Sequence, residues 1–156
     1  MIEIERKFSL KNTNFLASAT KSYKITQGYL NSLPERTVRI RTKGNKGFIT
    51  IKGKSNENLT SRFEWEKEIP VEEALQLLAL CEDFVIEKTR YEVPFGNHLW
   101  EIDVFHGANE GLMIAEIELE SENEQFDLPD WVDNEITLDN RFFNAYLSNH
   151  PYKTWK

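Results

Sequence analysis

Charged residues recur at every second position in most of the segments that alternate with apolar residues. Acidic side chains share one face in some segments, as Glu3 and Glu5 do, and basic side chains share one face in others, as Arg39 and Arg41 do. Residues i and i+2 of a strand point to the same side. Each segment therefore predicts a strand with one charged face and one apolar face.

The sorting of charges by sign indicates chemistry rather than solubility alone. One such strand by itself is usually an ordinary sheet with one face in water. Two carboxylates about 4 Å apart repel by about 4 kcal/mol at an effective dielectric near 20, so several acidic strands together need a cation. Oxygen ligands suit Mg²⁺ or Mn²⁺, and arginine and lysine suit phosphate. The two sets together predict a phosphoryl-transfer site.

Period-two alternation predicts eight strands, separated by turn signals such as those at 44–47 and 94–97. The predicted strands are 2–9, 23–31, 36–43, 47–54, 60–69, 84–92, 98–105 and 112–120. Helical patterns cover 12–19, 71–81 and, after a cap at Asp139, about 139–148. Eight mostly antiparallel strands are enough to close a barrel. The expected fold is mainly β (α+β), a closed eight-stranded antiparallel β-barrel tunnel with a few flanking helices.

Length and composition place limits on the function. The 156 residues suit one domain over 1–156, and 40% hydrophobic residues suffice for a core. The net charge of −7 argues against nucleic acid and anionic membranes as partners, and no apolar run reaches the about 20 residues that span a bilayer. Part of the acidic excess is expected inside, as metal ligands. The single Cys81 excludes an internal disulfide and favours a cytoplasmic protein.

Glu3-Ile4-Glu5-Arg6-Lys7 matches the E-x-E-x-K signature of the CYTH superfamily, also called triphosphate tunnel metalloenzymes. The stretch at 137–144 also resembles the small bacterial members of this family. Further stretches that resemble the family follow in its order, at 38–41, 50–52, 64–66, 87–91, 101–103 and 115–118.

The resemblance implies a tunnel that binds a triphosphate in its lumen, with a role for each matching residue. The implied metal ligands for Mg²⁺ or Mn²⁺ are Glu3, Glu5, Asp103, Glu116 and Glu118. The implied triphosphate-binding residues are Lys7, Arg39, Arg41, Lys52, Lys88 and Arg90. Further acidic lumen residues are Glu64, Glu66 and Glu101. Tyr29 is either an acid/base partner of Lys88 or a packed strand tyrosine.

The leading hypothesis is metal-dependent hydrolysis of inorganic tripolyphosphate or a nucleoside triphosphate. The alternatives are a class IV adenylate cyclase, for which no adenine pocket is evident, and a non-catalytic module that binds polyphosphate or nucleotides. A small-molecule triphosphate is the expected partner, and a homodimer remains open. Lys24 and Arg62 suit either the lumen or the surface, Lys54 is expected at the tunnel mouth, and the last helix packs on or plugs the barrel.

Overall fold

The computed structural model describes residues 1–155, which form nine strands and two short α-helices. The strands are β1 (Ile2–Leu10), β2 (Lys21–Asn31), β3 (Arg36–Lys43), β4 (Lys46–Gly53), β5 (Ser61–Ile69), β6 (Ile86–Phe95), β7 (His98–Phe105), β8 (Met113–Leu119) and β9 (Val132–Glu135). The α-helices are α1 (Val71–Leu78) and α2 (Asn144–Leu147), and 3-10 turns lie at Asn14–Ser18, Gly107–Asn109, Asn140–Phe142 and Tyr152–Thr154.

The sheet closes on itself, in the order β5-β4-β3-β2-β6-β7-β8-β1 with β5 returning to β1, and every pairing is antiparallel. Strand β1 makes the closure because its first half pairs with β5, where Ile2 lies opposite Phe63. Its last residues pair instead with β9. The predicted eight-stranded antiparallel barrel is therefore confirmed, with β9 as one additional strand.

The helices are shorter than the sequence pattern predicts. Segment 12–19 contains a 3-10 turn, and α1 ends at Leu78. The predicted terminal helix is divided because Phe143 adopts an extended backbone conformation, with φ −74° and ψ 136°. A 3-10 turn precedes this residue, where Asp139 accepts a hydrogen bond from the backbone N–H of Arg141 at 3.1 Å. Only α2 follows it as α-helix.

The apolar faces of the strands pack outside the lumen. In one cluster Trp100 is fully buried and lies 5.5 Å from Phe8 and 5.7 Å from Trp131, measured between ring centroids. On the β2 side, a Cβ at Gly28 would lie 2.8 Å from the Cβ of Cys81, so only glycine permits this approach. Cys81 itself is partly buried, just beyond α1. Within residues 1–155, no helix has the length and apolar character needed to cross a membrane.

Candidate active site in the tunnel

A polar cavity of about 200 Å³ lies inside the barrel, where the charged faces of the strands meet. Seven acidic side chains line it: Glu3, Glu5, Glu64, Glu66, Glu101, Glu116 and Glu118. Seven basic side chains line it: Lys7, Arg39, Arg41, Lys52, Arg62, Lys88 and Arg90. Tyr29, Phe143 and Asn144 complete the lining. The lining is thus balanced in charge, so it does not contain the acidic excess that the sequence led us to expect inside.

The structure brings nearly all the sequence-predicted site residues together around this one cavity. Asp103 is the exception, since it is fully buried in the wall and does not line the cavity. Arg62, which the sequence left open, faces the lumen, whereas Lys24 is exposed on the outside. Lys54 is exposed and lines a neighbouring cavity.

Asp103 organises what we call the basic wall, formed by Lys88 and Arg90 on β6 and Asp103 on β7. The Lys88 Nζ donates to Asp103 Oδ2 at 2.7 Å, and Arg90 donates to both carboxylate oxygens at 2.7 and 2.9 Å. Although burial acts to raise the pKa of Asp103, Arg90 and Lys88 outweigh it and hold that pKa well below its usual range. Burial lowers the pKa of Lys88 to about 8, against the opposing effect of Asp103. These charges are paired before any ligand binds.

Arg39 and Arg41, on β3, are held more loosely. Each guanidinium lies 3.4 Å from Glu66 Oε2, which is long for an ion pair, and Glu66 accepts a closer hydrogen bond of 2.6 Å from Thr50. Burial and the neighbouring Arg39 lower the pKa of Arg41 to about 10, so it remains a cation at neutral pH. The buried Nε atoms of both arginines have no partner among the described residues. Arg39 also donates to Thr50 Oγ1 at 3.1 Å, so Arg41 is the less constrained of the two.

We call the group of Glu116 and Glu118 on β8, Glu101 on β7 and Glu5 on β1 the acidic wall. Glu116 lies directly opposite Glu101 of β7, and Glu118 lies directly opposite Glu5 of β1. Like charges in directly opposed positions destabilise a sheet. Burial, followed by repulsion from Glu5, raises the pKa of Glu116 to about 7. Partial burial, followed by repulsion from Glu3 and Glu5, raises the pKa of Glu118 to about 7.

Comparison with known proteins assigns this closed, charge-lined barrel to a family. The family model described as "CYTH domain" matches residues 1–144. The chain belongs to the CYTH domain family. The triphosphate tunnel metalloenzymes of this family depend on a metal ion.

Relatives with assigned activities cover almost the whole of this CYTH chain. An inorganic triphosphatase of Acetivibrio thermocellus is 46% identical over 99% of this chain and 97% of its own length. An inorganic triphosphatase of Nitrosomonas europaea is 36% identical over 95% of this chain and 97% of its own length. A crystal structure of an inorganic triphosphatase superposes with a TM-score of 0.67 and 32% identity, and the match covers 94% of this chain and 93% of that one.

The donor set of this CYTH tunnel fits a hard divalent cation, although the carboxylates are not yet gathered around one point. In the part of the chain that the structure describes, residues 1–155, no three acidic, histidine or cysteine side chains form a ready-made metal cluster. Two carboxylates are held by bases, since Lys52 donates to Glu3 at 2.8 Å and Lys7 donates to Glu5 at 2.6 Å. Glu116 and Glu118 are crowded by like charges, a repulsion that a cation would relieve.

Two lining residues, Phe143 and Asn144, were not predicted as site residues. The Asn144 Oδ1 accepts a hydrogen bond from Lys88 Nζ at 3.1 Å. The Phe143 ring lies 4.8 Å from Lys7 Nζ and 5.3 Å from Arg62 Cζ. Both residues come from the C-terminal segment, where no strand alternation marks a lumen face. The resemblance of 137–144 to the family is the one sequence signal that pointed to them.

A second cavity of about 520 Å³ adjoins the tunnel, since Arg62 and Phe143 line both. Its other lining residues include Leu33, Ala145 and Tyr146, whose side chains give it a more apolar wall than the tunnel has. Its volume lies within the roughly 300–1,000 Å³ range of small-molecule sites. No sequence pattern predicted this cavity.

Proposed function

We propose that this protein hydrolyses inorganic tripolyphosphate to pyrophosphate and phosphate, with Mg²⁺ or Mn²⁺ as cofactor. The observation that carries the proposal is the paired lining of the tunnel, in which seven bases and seven acids face one small polar cavity. Its volume of about 200 Å³ suits a compact polyanion rather than a large organic substrate. The activity of the two relatives that match nearly the whole chain supports it.

In this proposal the basic residues bind the substrate and stabilise its charge. Arg39 and Arg41 exchange their long contacts with Glu66 for phosphate oxygens, which suit the planar guanidinium. The remaining phosphate ligands are Lys7, Lys52, Lys88 and Arg90. Charge that develops on the transferring phosphoryl group is then met by donors already in place, which is the main source of rate in such reactions.

The acidic residues hold the metal in this proposal. Glu3, Glu5, Glu116 and Glu118 line the cavity, and Asp103 contributes by fixing the bases that it contacts. A bound divalent cation neutralises phosphate oxygens and provides a site for water. Glu66 accepts a hydrogen bond from Thr50, and Glu64 and Glu101 lie 3.5 Å from Lys52 and Arg90, so these three carboxylates help to hold the groups around the substrate. Lys88 donates to a phosphate oxygen, and the Tyr29 hydroxyl lies in the lining where it orients the attacking water.

The experiment is a phosphate-release assay on the chelator-treated protein. We expect tripolyphosphate to be hydrolysed only after Mg²⁺ or Mn²⁺ is added, and we expect Glu5→Gln and Arg41→Ala to lose activity while remaining folded by circular dichroism. Exposed Glu120→Gln and Lys24→Ala serve as matched controls with unchanged rates. Unchanged turnover in both tunnel variants would overturn the proposal.

The same assay separates the other two hypotheses. With ATP as substrate, cyclic AMP and pyrophosphate as products would identify a cyclase, whereas ADP and phosphate identify a hydrolase. Tight, metal-independent binding of tripolyphosphate without turnover would identify a binding module. The carboxylate-rich lumen argues against a binding module, because such a module has no need of the four proposed metal ligands Glu3, Glu5, Glu116 and Glu118.

The second cavity favours a second candidate activity, hydrolysis of a nucleoside triphosphate. A ligand with its phosphates in the tunnel reaches this cavity past Arg62 and Phe143, and the apolar wall suits a base. We expect Leu33→Ser to lower kcat/KM for ATP severalfold while kcat/KM for tripolyphosphate stays unchanged. Leu128→Ser, at a similarly exposed leucine outside both cavities, is the control. Equal changes for both substrates would contradict this candidate.

We further propose that the protein acts in the cytoplasm on a small-molecule triphosphate, without nucleic acid or membrane as partner. The single cysteine and the net charge of −7 support this. A homodimer remains a hypothesis, which light scattering of the purified protein would test.

A further inference from the structure

We propose that Asn144 is a positioning residue for the hydrolysis of tripolyphosphate, because it aims the Lys88 ammonium into the tunnel. This inference rests on the proposed function, since it assigns Lys88 to the substrate. Asn144 comes from the C-terminal segment, beyond the strands that carry the charged residues of the lining.

The hydrogen-bond inventory of the Lys88 ammonium carries the inference. Its three N–H donors meet two acceptors in the protein: Asp103 Oδ2 at 2.7 Å and Asn144 Oδ1 at 3.1 Å. The side chain is only 1% exposed, yet it lines the tunnel. With two donors occupied, the third is directed at the lumen, where a phosphate oxygen would accept it.

Asn144 supplies this constraint without cancelling the charge. A lysine has a flexible four-carbon chain and rotating donors, so a single bond to Asp103 leaves the direction of the remaining donors open. A second carboxylate in place of the amide would fix the ammonium, but it would also repel the phosphates. The neutral amide oxygen fixes the direction and leaves the positive charge available.

The position of Asn144 is itself well determined. Its backbone carbonyl accepts a hydrogen bond from the backbone N–H of Ser148 at 3.0 Å within α2. The preceding Phe143 ring contacts Lys7 of β1 and Arg62 of β5 at cation–π distances. The segment is therefore anchored to three strands of the barrel, namely β1, β5 and β6.

The test compares Asn144→Leu with Asn149→Leu. Leucine branches at Cγ as asparagine does but accepts no hydrogen bond, so Asn144→Leu should lower kcat for tripolyphosphate roughly tenfold or more. We expect KM to stay within about twofold, because the other phosphate-binding bases remain. The misaligned Lys88 ammonium mainly weakens stabilisation of the charge that develops in the transition state, which lowers kcat. Asn149→Leu removes a different bond of the same segment, from Asn149 Nδ2 to Ser32 Oγ at 2.9 Å, and should leave kcat unchanged.

A second measurement separates this inference from the proposed function. The NMR signal of the Lys88 ammonium group, assigned by its absence in Lys88→Met, should shift in Asn144→Leu and stay in place in Asn149→Leu. This readout needs no turnover, so a native protein inactive on tripolyphosphate would contradict the proposed function alone. Equal loss of kcat in both asparagine variants, or an unshifted Lys88 signal in Asn144→Leu, would overturn the role of Asn144.

Discussion

The basic wall and the acidic wall of the tunnel lie side by side, but their charges are matched differently. In the basic wall, Arg90 lies directly opposite Asp103 and binds it with two hydrogen bonds. In the acidic wall, Glu118 lies directly opposite Glu5, and Glu116 lies directly opposite Glu101. The Arg90–Asp103 pair joins unlike charges, whereas these two carboxylate pairs join like charges, with Lys7 opposite the other side of Glu116.

This difference separates what stabilises the fold from what prepares the reaction. Asp103 pairs with two cations, of which Lys88 is fully buried and Arg90 partly so, and the basic wall is therefore paired in the protein alone. In the acidic wall, Lys7 lies opposite Glu116 and donates to Glu5, but burial and the neighbouring carboxylates still raise the pKa of Glu116 to about 7. Proteins tolerate such conflicts chiefly at functional sites. Removing a charge should therefore have opposite effects on stability in the two walls.

The largest effect is expected from Asp103→Asn in the basic wall. The change leaves buried Lys88 and partly buried Arg90 beside a neutral amide, and losing one partner of a buried ion pair costs about 3–5 kcal/mol. Urea denaturation should show this decrease in the free energy of unfolding. The exposed Asp133→Asn on β9 is the control, with a change within about 0.5 kcal/mol. Equal values for the two variants would mean that Asp103 does not hold the wall.

A smaller change of opposite sign is expected from Glu116→Gln in the acidic wall. Removing one of two opposed carboxylates should raise the free energy of unfolding of the metal-free protein by roughly 0.2–1 kcal/mol. The same variant should bind the metal more weakly, because it lacks one of the carboxylates proposed to hold the cation. Denaturation with chelator and titration calorimetry with Mn²⁺ measure the two effects. Glu120→Gln, exposed just after β8, should change neither. A destabilised Glu116→Gln protein would contradict the contrast between the walls.

A third effect on stability is expected from Gln27→Leu on β2, which lies outside both walls. Gln27 is fully buried opposite Arg41, and neither side-chain polar atom has a partner among the described residues. Replacing such an amide with an apolar side chain of similar size should stabilise the protein by about 1 kcal/mol. Thermal unfolding measures this gain. A lower melting temperature would instead show that the amide is satisfied in solution.

Alternation was enough to predict the strands and their charged faces, because every second residue of a strand points to the same side. The resemblance to the CYTH family, together with this alternation, assigned Glu3, Arg41 and Glu116 to one lumen, and all three line the cavity. Alternation could not predict how far a side chain reaches into the lumen, since it gives the face of the strand and not the distance from the barrel axis. Asp103 therefore has the predicted face but is buried in the wall beneath Lys88 and Arg90.

Segments without periodicity escaped prediction for a different reason. Strand β9 has only four residues and three of them are exposed, so no alternating pattern marks it. Asn144 reaches the lumen from the start of α2, and its place depends on how the C-terminal segment packs across the barrel. Tertiary packing decides such contacts, and local sequence does not encode them.

The closure of the barrel by β1 has a consequence for the order in which the site assembles. Glu3 and Glu5 lie on the first strand, yet their partners across the sheet are Arg62 and Glu118. Contacts this distant in sequence form slowly, because the entropy of closing a long loop must be overcome first. A nascent chain whose β8 has not yet emerged from the ribosome lacks Glu116 and Glu118, which are half of the acidic wall. Phosphate chemistry therefore becomes available only when nearly the whole chain has emerged.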